Sequence, residues 1–413
     1  MTGTANRWRL FGVLALMYIL AYFYRISLAV VAKDLSAELG LSPLQLGTLS
    51  GVFFYVYALV QIPLGPLLDR FGGRLVISSF GLLSSAGGLL FALAPGYGAA
   101  LGGRILIGAG TACVLMGSLK IFTHWFTRRE FAVVSGYMVA IGNLGNLTAT
   151  APLALAVAAV GWRSSFLAVA GLQCLVTLLV FGVVRDTPVT GAHVTEENSP
   201  GIGMIASWRI ILADRTFQLL SLLSFFWYGN YMVLQGLWGG PYLMEAVGMD
   251  RSAAGRVLLF TSLGFIIGSL LLGRVTERLF KSRKRTLLAG QLLLLLLMTL
   301  MLGPAEQLPR PLLFAAFFVI GIGVSSGVTI YLFIREMFPV RMIATALTSL
   351  NFFVLMGAAA VQQLMGYVIE RYPKGANGYP PQAYHRAFLI PIGGLLLALL
   401  LFTQAREPGK GEQ

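Results

Sequence analysis

The segment from Gly65 to Arg74 reads Gly-Pro-Leu-Leu-Asp-Arg-Phe-Gly-Gly-Arg and separates two long apolar runs. Its paired glycines favour a tight turn, because glycine adopts backbone conformations that other residues avoid. The carboxylate of Asp69 has cationic neighbours and is placed to accept hydrogen bonds from a helix N-terminus. We expect Gly65 to let a neighbouring helix approach closely, as small residues do in membranes. The segment therefore predicts a short connection between two membrane-spanning helices.

The whole chain has the composition of a helical membrane protein. Of its 413 residues, 57% are hydrophobic and 11% are charged, and the mean hydropathy is +0.80. A water-soluble protein of this length could not cover its surface with so few charges. The 49 glycines and 17 prolines also suit membrane helices, where both residues are more frequent. Cys113 and Cys174 lie in apolar runs, which favours packing roles over a disulfide.

The apolar runs predict an all-α membrane protein with twelve transmembrane helices. A helix needs roughly 20 apolar residues to cross a hydrocarbon core. The longest polar interruption divides the chain into a six-helix bundle at residues 1–184, a linker at residues 185–215 and a second six-helix bundle at residues 216–413. The predicted spans are residues 10–32, 46–68, 75–95, 98–122, 131–159, 164–184, 217–241, 252–273, 286–303, 311–334, 342–369 and 386–403.

The net charge of +14 is distributed as a topology signal. Most Lys and Arg residues lie in connections on the side of the termini, including Arg70, Arg128, Arg129 and the segment from Lys281 to Arg285. Short cytoplasmic loops carry such an excess. We expect both termini and the linker to be cytoplasmic, in the inner membrane of a bacterium, with the first span retained because it lacks a cleavage site. The expected partners are the lipid bilayer and a small solute, with no nucleic acid, and the protein is expected to be a monomer.

The two halves of the chain repeat the same motifs at offsets of 208 to 213 positions. A six-plus-six parallel repeat is typical of one large transporter class, whose substrate site lies near the bilayer midplane between the halves. The matching sets are Gly65, Asp69 and Arg70 with Gly273, Glu277 and Arg278; Ile107, Gly108 and Gly110 with Ile320, Gly321 and Gly323; and Phe126, Arg129 and Ala132 with Phe338, Arg341 and Ala344.

These motifs together resemble the major facilitator superfamily. The resemblance implies two pseudo-symmetric bundles, a secondary carrier that works by alternating access, and a gating role for the loop after the second span. The gating residues that it implies are Gly65, Asp69, Arg70, Gly72 and Arg74, with Glu277 and Arg278 in the second copy. Arg104, followed by Gly108 and Gly110, resembles a second motif of the family with a buried arginine. That arginine could brace helices or handle protons or substrate.

Arg25 is the most informative charge. It lies deep in the first span, where a central arginine costs roughly 2.5–3.5 kcal/mol. Tyr18 and Tyr22 precede it by seven and three positions and share its helical face. A guanidinium can stack on tyrosine while it binds a carboxylate or phosphate. Pairing with a protein group is the alternative.

The stretch from Tyr22 to Ala29 resembles the first helix of the organic anion, anion:cation symporter-like branch of the superfamily. In that branch the matching arginine holds the substrate anion. Members commonly carry an acidic residue beside it and another in the fourth span, where this chain has Tyr24 and offers Thr111. None of the sixteen acidic residues lies near the middle of a predicted span, so coupling to a proton or another ion by symport stays open.

Further polar residues within the spans complete the predicted substrate site. Five residues of the seventh span recur at spacings of three or four and should face the interior of the protein, since amides rarely face lipid. Each residue alone could bridge two helices, and together they favour a polar cavity. Lys120 could instead reach the lipid headgroups. The set comprises Trp227, Asn230, Tyr231, Gln235 and Trp238, with Tyr57 and Gln61 of the second span, Lys120 of the fourth, Asn143 of the fifth and Asn351 of the eleventh.

The sequence as a whole predicts a membrane transporter of a small organic anion, such as a carboxylate, a sugar acid or a carboxylate-bearing chelator, and not an enzyme. No Gly-Lys-Ser or Gly-Lys-Thr phosphate loop and no metal-ligand cluster is present, so neither a cofactor nor a metal is expected. One alternative is a proton-driven exporter of amphiphilic or cationic compounds, which would need a buried acid. Another is a transporter-like solute sensor, for which the cytoplasmic tails offer no obvious signalling segment.

Overall fold

The computed structural model describes residues 2–187, 204–375 and 378–407. Within these ranges the backbone is helical apart from short turns and one isolated bridge between Gly375 and Gly378. The predicted all-α class is therefore confirmed.

In the described residues, the first half of the chain contains seven α-helices. The first predicted span corresponds to α1 and α2, which are interrupted at Ser27, and the fourth corresponds to α4 and α5. The helix α6 begins where the Thr127 hydroxyl accepts from the Glu130 N–H and the Glu130 carboxylate accepts from the Thr127 N–H, a reciprocal cap. The bounds are α1 Thr2–Ile26, α2 Leu28–Leu39, α3 Pro43–Ala92, α4 Tyr97–Thr111, α5 Val114–Trp125, α6 Arg128–Thr148 and α7 Ala151–Val183.

The part of the second half that the structure describes contains ten α-helices. Asp214 and Asp250 start α9 and α11 by accepting hydrogen bonds from the N–H groups of Phe217 and Ala253. A π-helical turn at Val233–Trp238 joins α9 to α10, and another at Val275–Phe280 extends α11. The bounds are α8 Met204–Ala213, α9 Arg215–Met232, α10 Gly239–Glu245, α11 Arg251–Arg274, α12 Arg283–Met298, α13 Pro304–Gln307, α14 Arg310–Ser325, α15 Thr329–Met337, α16 Val340–Ile369 and α17 Pro381–Phe402.

Two long helices each contain a single non-helical glycine. In α3, Gly72 has φ 78° and ψ 163°, and in α7, Gly161 has φ 80° and ψ 163°. An L-residue with a side chain is strained in this region of φ and ψ. The second and third predicted spans are thus two helices that meet at the kink at Gly72, which agrees with the short connection that the sequence predicted.

Ten helical segments of the described chain are long and apolar enough to cross a membrane. One of them, Val133–Val183, has 51 residues, which exceeds a single crossing and accommodates the fifth and sixth predicted spans. The continuous helical run of α9 and α10 corresponds to the seventh. Large apolar side chains also lie exposed, with Leu270 at 76% and Leu93 at 63%, as lipid-facing surfaces require. The ten segments, with the 51-residue segment counted as two spans and the run of α9 and α10 added, are compatible with twelve spans.

The helices group into two compact units. Unit 1 comprises Met1–Leu41 and Val52–Glu197, and unit 2 comprises Ser42–Gly51 and Asn198–Gln413. The division after residue 197 falls inside the predicted linker, residues 185–215. Residues 188–203 of that linker lie outside the described residues, and α8 occupies much of the remainder. The predicted limits of the two bundles stay a prediction.

Candidate substrate-binding site

Arg25 lies at the end of α1 in unit 1, against two tyrosine rings. Its guanidinium carbon is 4.6 Å from the ring centroid of Tyr22 and 4.9 Å from that of Tyr57. Tyr22 precedes it by one helical turn, and Tyr57 comes from α3. A guanidinium over an aromatic face is attracted by the negative face of the ring. The structure therefore brings Arg25, Tyr22 and Tyr57 together into one cationic cluster.

Tyr18 extends this cluster along α1. Its hydroxyl donates to the Tyr22 hydroxyl at 3.3 Å, and the two rings meet edge to face with centroids 4.8 Å apart. Tyr18 is 2% exposed and belongs to the apolar core of unit 1. The shared face that the sequence predicted for Tyr18, Tyr22 and Arg25 is confirmed.

Two glycines of α6 hold the tyrosines in place. A Cβ atom on Gly142 would lie 2.5 Å from the Tyr18 ring, and one on Gly145 would lie 2.1 Å from the Ile19 carbonyl oxygen and 2.7 Å from the Cβ of Tyr22. All three distances are too short for real Cβ contacts, so α6 can approach α1 this closely only with glycine at these positions. The close packing of α6 on α1 therefore falls on Tyr18 and Tyr22, which lie beside Arg25.

The other predicted polar residues of unit 1 mostly bond to the backbone. The Gln61 amide donates to the Ala112 carbonyl at 3.1 Å and thereby joins α3 to the α4–α5 turn. Asn143 donates to the Val139 carbonyl at 3.0 Å and accepts from Asn146 at 3.2 Å. Lys120 is half-buried in α5. The choice between anion and headgroup contact for Lys120 stays open.

Arg104 braces helices. It is fully buried, donates from Nη1 to the Tyr24 carbonyl at 2.9 Å, and lies with its guanidinium carbon 4.8 Å from the Phe53 ring centroid. It therefore connects α4 to α1 and α3. Of the two roles that the sequence left open for Arg104, these contacts support bracing.

The predicted stripe of the seventh span is buried in unit 2, as expected of an interior face. Its N–H groups bond to neighbouring helices. The Trp227 indole donates to the Val324 carbonyl at 2.7 Å, and the Trp238 indole donates to the Gln362 carbonyl at 2.9 Å. These bonds brace unit 2 and use the single donor that each indole carries.

The two amides of the stripe behave in the same way. Asn230 donates to the Phe226 and Pro391 carbonyls at 2.7 and 2.9 Å. Gln235 donates to the Leu258 carbonyl at 2.9 Å and to the Ser262 hydroxyl at 2.7 Å. Tyr231 stacks on Phe265 with ring centroids 5.6 Å apart. The donors of these side chains already bond to protein groups, and the expectation that the stripe packs on substrate stays a prediction.

Gln235 lies in the π-helical turn at Val233–Trp238, where the sequence predicted a regular helix. Such turns are frequent at functional sites. Glycines at positions 236, 239 and 240 were an available signal. In α16, Asn351 accepts a long hydrogen bond from the Tyr331 hydroxyl at 3.5 Å.

The predicted gating residues are only partly described. The side chain of Asp69 lies outside the described residues, so its role stays a prediction. Arg70 is exposed beside the Phe71 ring, and Glu277 and Arg278 are exposed in the π-helical turn after α11. The close helix approach predicted at Gly65 is wrong for the described residues, because a Cβ there would meet no heavy atom within 4 Å. No group of three or more His, Cys, Asp or Glu residues in the described ranges could hold a metal ion.

The sequence matches the Major Facilitator Superfamily over residues 14–239 and 228–413, and the chain belongs to this superfamily. It is a membrane transporter and not an enzyme, as the sequence predicted. The protein shares its fold with a bacterial homolog of the human lysosomal transporter Spinster, with a TM-score of 0.80 and 20% identity over 97% of both chains. The D-xylose-proton symporter gives a TM-score of 0.76 at 16% identity, over 99% of this chain and 100% of that one.

Several curated relatives are named as transporters of organic anions, in agreement with the predicted resemblance. The chain is 28% identical over 292 residues to the probable sulfoacetate transporter of Cupriavidus necator, covering 67% of this chain and 66% of that protein. It is 26% identical to the probable L-galactonate transporter of Escherichia coli K12, covering 66% of this chain and 63% of that protein. It is 24% identical to the D-galactonate transporter of Escherichia coli O6:H1, over 93% of each.

Proposed function

We propose that the protein carries a small organic anion, a carboxylate, sugar acid or carboxylate-bearing chelator, across the membrane by alternating access. The observation that carries this proposal is the placement of Arg25 against the rings of Tyr22 and Tyr57. A cation in a membrane span is expensive and usually functional. The relatives named for sulfoacetate and galactonate transport support the same class of substrate.

Arg25 would bind the anionic group of the substrate. A guanidinium presents five N–H donors in a planar fork that matches a carboxylate. The rings of Tyr22 and Tyr57 fix the plane of that fork, and the Tyr18–Tyr22 hydroxyl pair places phenol groups at the same end of α1. Charge-assisted hydrogen bonds of this kind contribute about 1.5–3 kcal/mol.

Energy coupling would not use a carboxylate in mid-span. Of the ten candidate spans, only Arg251–Phe280 and Arg310–Met337 contain an acidic residue, and in both it lies close to the end of the segment. We therefore propose facilitated diffusion, exchange, or a proton carried with the substrate. A single Asp or Glu neutralisation that abolishes proton-driven uptake and spares counterflow exchange would overturn this part of the proposal.

The orientation also belongs to the proposal. The charge distribution supports cytoplasmic termini in a bacterial inner membrane. Reporter fusions after Gln413 and at Glu196 should both report the cytoplasm, and fusions that report opposite sides would contradict it.

The test of the function is flux in proteoliposomes that contain the purified protein. A panel of organic anions that includes galactonate and sulfoacetate should be taken up and exchanged, and drug-like cations should not. Ligands that bind the folded protein also raise its melting temperature, which gives a screen before transport is measured. Anion binding without any flux would identify a sensor, and flux of cations alone would identify an exporter.

A further inference from the structure

The turn at Gly72 is covered by a carboxylate from the far end of unit 1. The backbone N–H of Arg74, just after the turn, donates to Oδ1 of Asp186 at 2.8 Å, across 112 positions of sequence. A Cβ atom on Gly72 would lie 2.7 Å from Oδ2 of Asp186. The carboxylate therefore sits directly on the turn, where the helical N–H groups have no partner within the helix.

Arg74 in turn bonds to the end of α7, just before Asp186. The Arg74 side chain donates from Nε to the Phe181 carbonyl at 2.9 Å, and its guanidinium carbon is 4.5 Å from the Phe181 ring centroid. Phe181 lies in the last turn of α7, where carbonyl groups lack helical partners. The end of α7 and the restart of α3 thus satisfy each other's unpaired backbone groups.

Unit 2 contains the same arrangement. The turn before α12 holds Lys281 at φ 52°, a left-handed conformation that is uncommon for a residue with a side chain. Glu407 follows α17 and accepts from the backbone N–H of Arg283 at 2.8 Å, across 124 positions. Lys284 donates to the carbonyls of Thr403 and Ala405 at 2.6 and 2.7 Å. We call the two arrangements the Asp186 clasp and the Glu407 clasp.

Capping alone does not explain these long-range contacts. Asp214 and Asp250 cap their helices from positions only three residues before the N–H that they accept. The helix α12 also has a local cap, since the Ser282 hydroxyl accepts from the Arg285 N–H at 3.1 Å. A second acid from more than a hundred positions away adds a connection between two helix ends, and it does so at matching places in both halves of the repeat.

We infer that Asp186 and Glu407 are positioning residues for transport, which hold the turn after the second span of each half in the conformation that gate movement requires. This inference rests on the proposed carrier function. Each acid follows the last helix of its half, so each clasp also fixes the point at which the chain leaves that half. The acids touch no predicted substrate residue, and their loss should change turnover more than affinity.

The experiment compares Asp186→Ala, Glu407→Ala and the double variant with Asp214→Ala as the matched control, because Asn or Gln would keep an oxygen that accepts from the same N–H group. The control removes a carboxylate cap of the same kind, which serves only the start of α9. Each clasp variant should slow substrate exchange about five- to tenfold, the loss expected from one strong capping contact, with KM unchanged. Asp186→Glu should recover part of the rate. The control should leave the rate unchanged.

Hydrogen–deuterium exchange provides a readout that needs no substrate. Asp186→Ala should speed exchange at the Arg74 amide, and Glu407→Ala at the Arg283 amide, while global melting temperatures stay close to wild type. Unchanged protection at these amides would show that the two carboxylates do not hold the Arg74 and Arg283 N–H groups. Lost protection with unchanged turnover, or with KM raised as much as kcat is lowered, would overturn the positioning role. A wild-type protein that moves no organic anion would instead contradict the proposed function, and the amide protection would still report on the clasps.

Discussion

The Arg25 cluster of unit 1 and the α9 stripe of unit 2 use similar residues in different ways. Both combine aromatic rings with nitrogen donors inside membrane spans. In unit 1 the rings of Tyr22 and Tyr57 lie against a cation. In unit 2 the indoles and amides are uncharged, and their N–H groups bond to carbonyls of other helices. An uncharged donor can be satisfied by any nearby carbonyl, whereas a guanidinium also favours an anion. Charge alone does not mark a binding residue, however, because the guanidinium of Arg104 in the same unit bonds to the Tyr24 carbonyl and braces helices.

Substitution of Arg25 tests most directly whether the cationic cluster of unit 1 binds the anion. We expect Arg25→Ala to lower affinity for the anion about ten- to hundredfold, since a charge-assisted contact contributes about 1.5–3 kcal/mol. Arg25→Lys should recover little, because a point charge cannot replace a planar fork. Binding is measured by titration and the fold by melting temperature. A variant that melts far lower and still binds its anion with unchanged affinity would show that Arg25 braces helices.

Substitution of glycines in α6 tests whether the packing of this helix on α1 orients Arg25. Gly142→Ala places a methyl group where the Tyr18 ring lies, and such overpacking costs about 1–3 kcal/mol. We expect this cost to appear as weaker anion binding together with a lower melting temperature. Gly136→Ala is the matched control, because a Cβ on Gly136 of the same helix meets no heavy atom within 4 Å. If the two substitutions had equal effects on anion binding, the position of the Tyr18 ring would not matter for the site.

Gln235 tests the other side of the comparison. Gln235→Leu removes the bonds to the Leu258 carbonyl and the Ser262 hydroxyl, which should lower the free energy of unfolding by about 1–2 kcal/mol. Affinity for the anion should change little. Denaturation in detergent measures the first quantity and ligand titration the second. Weaker anion binding at unchanged stability would show that Gln235 contacts the substrate and does not only connect helices of unit 2.

A smaller effect is expected where a charge serves structure alone. Hydrogen bonds from Arg163 and from the Trp162 indole lower the pKa of Glu38, which lies outside the candidate membrane spans. The stability from this carboxylate is fully present above its unfolded pKa of about 4.3 and is lost as the pH falls through its lower folded pKa. The Glu38 side chain is 47% exposed, so the contribution is below about 1 kcal/mol. Melting curves of wild type and Glu38→Gln should converge as the pH is lowered below 4.

The sequence predicted the helices well and the contacts between them unevenly. Helical periodicity placed Tyr18, Tyr22 and Arg25 on one face, because that relation depends only on spacing within a helix. The meeting of Arg25 with Tyr57 depends on how α1 packs against α3, which no local rule gives. The carbonyls that accept from the α9 stripe have no sequence signature at all, since every residue carries one.

The acids of the two clasps were missed for a related reason. Asp186 and Glu407 each follow an arginine after the last apolar run of a half, and that repeated pair was a usable signal. The sequence placed Asp186 in the polar linker, residues 185–215, and assigned Glu407 no role. Long-range caps are hard to foresee because the N–H group that they satisfy lies more than a hundred positions away.

The single-residue turns at Gly72 and Gly161 have a consequence for insertions and deletions. Each additional residue in an α-helix rotates everything after it by about 100° around the axis. A longer loop could change its conformation to accommodate an extra residue, but a turn made by one glycine has no further residues that could adjust. One inserted residue at position 72 or 161 would swing the polar face of the next helix toward lipid. Epitope tags and fused domains should therefore be tolerated far less at these two turns than between separate helices.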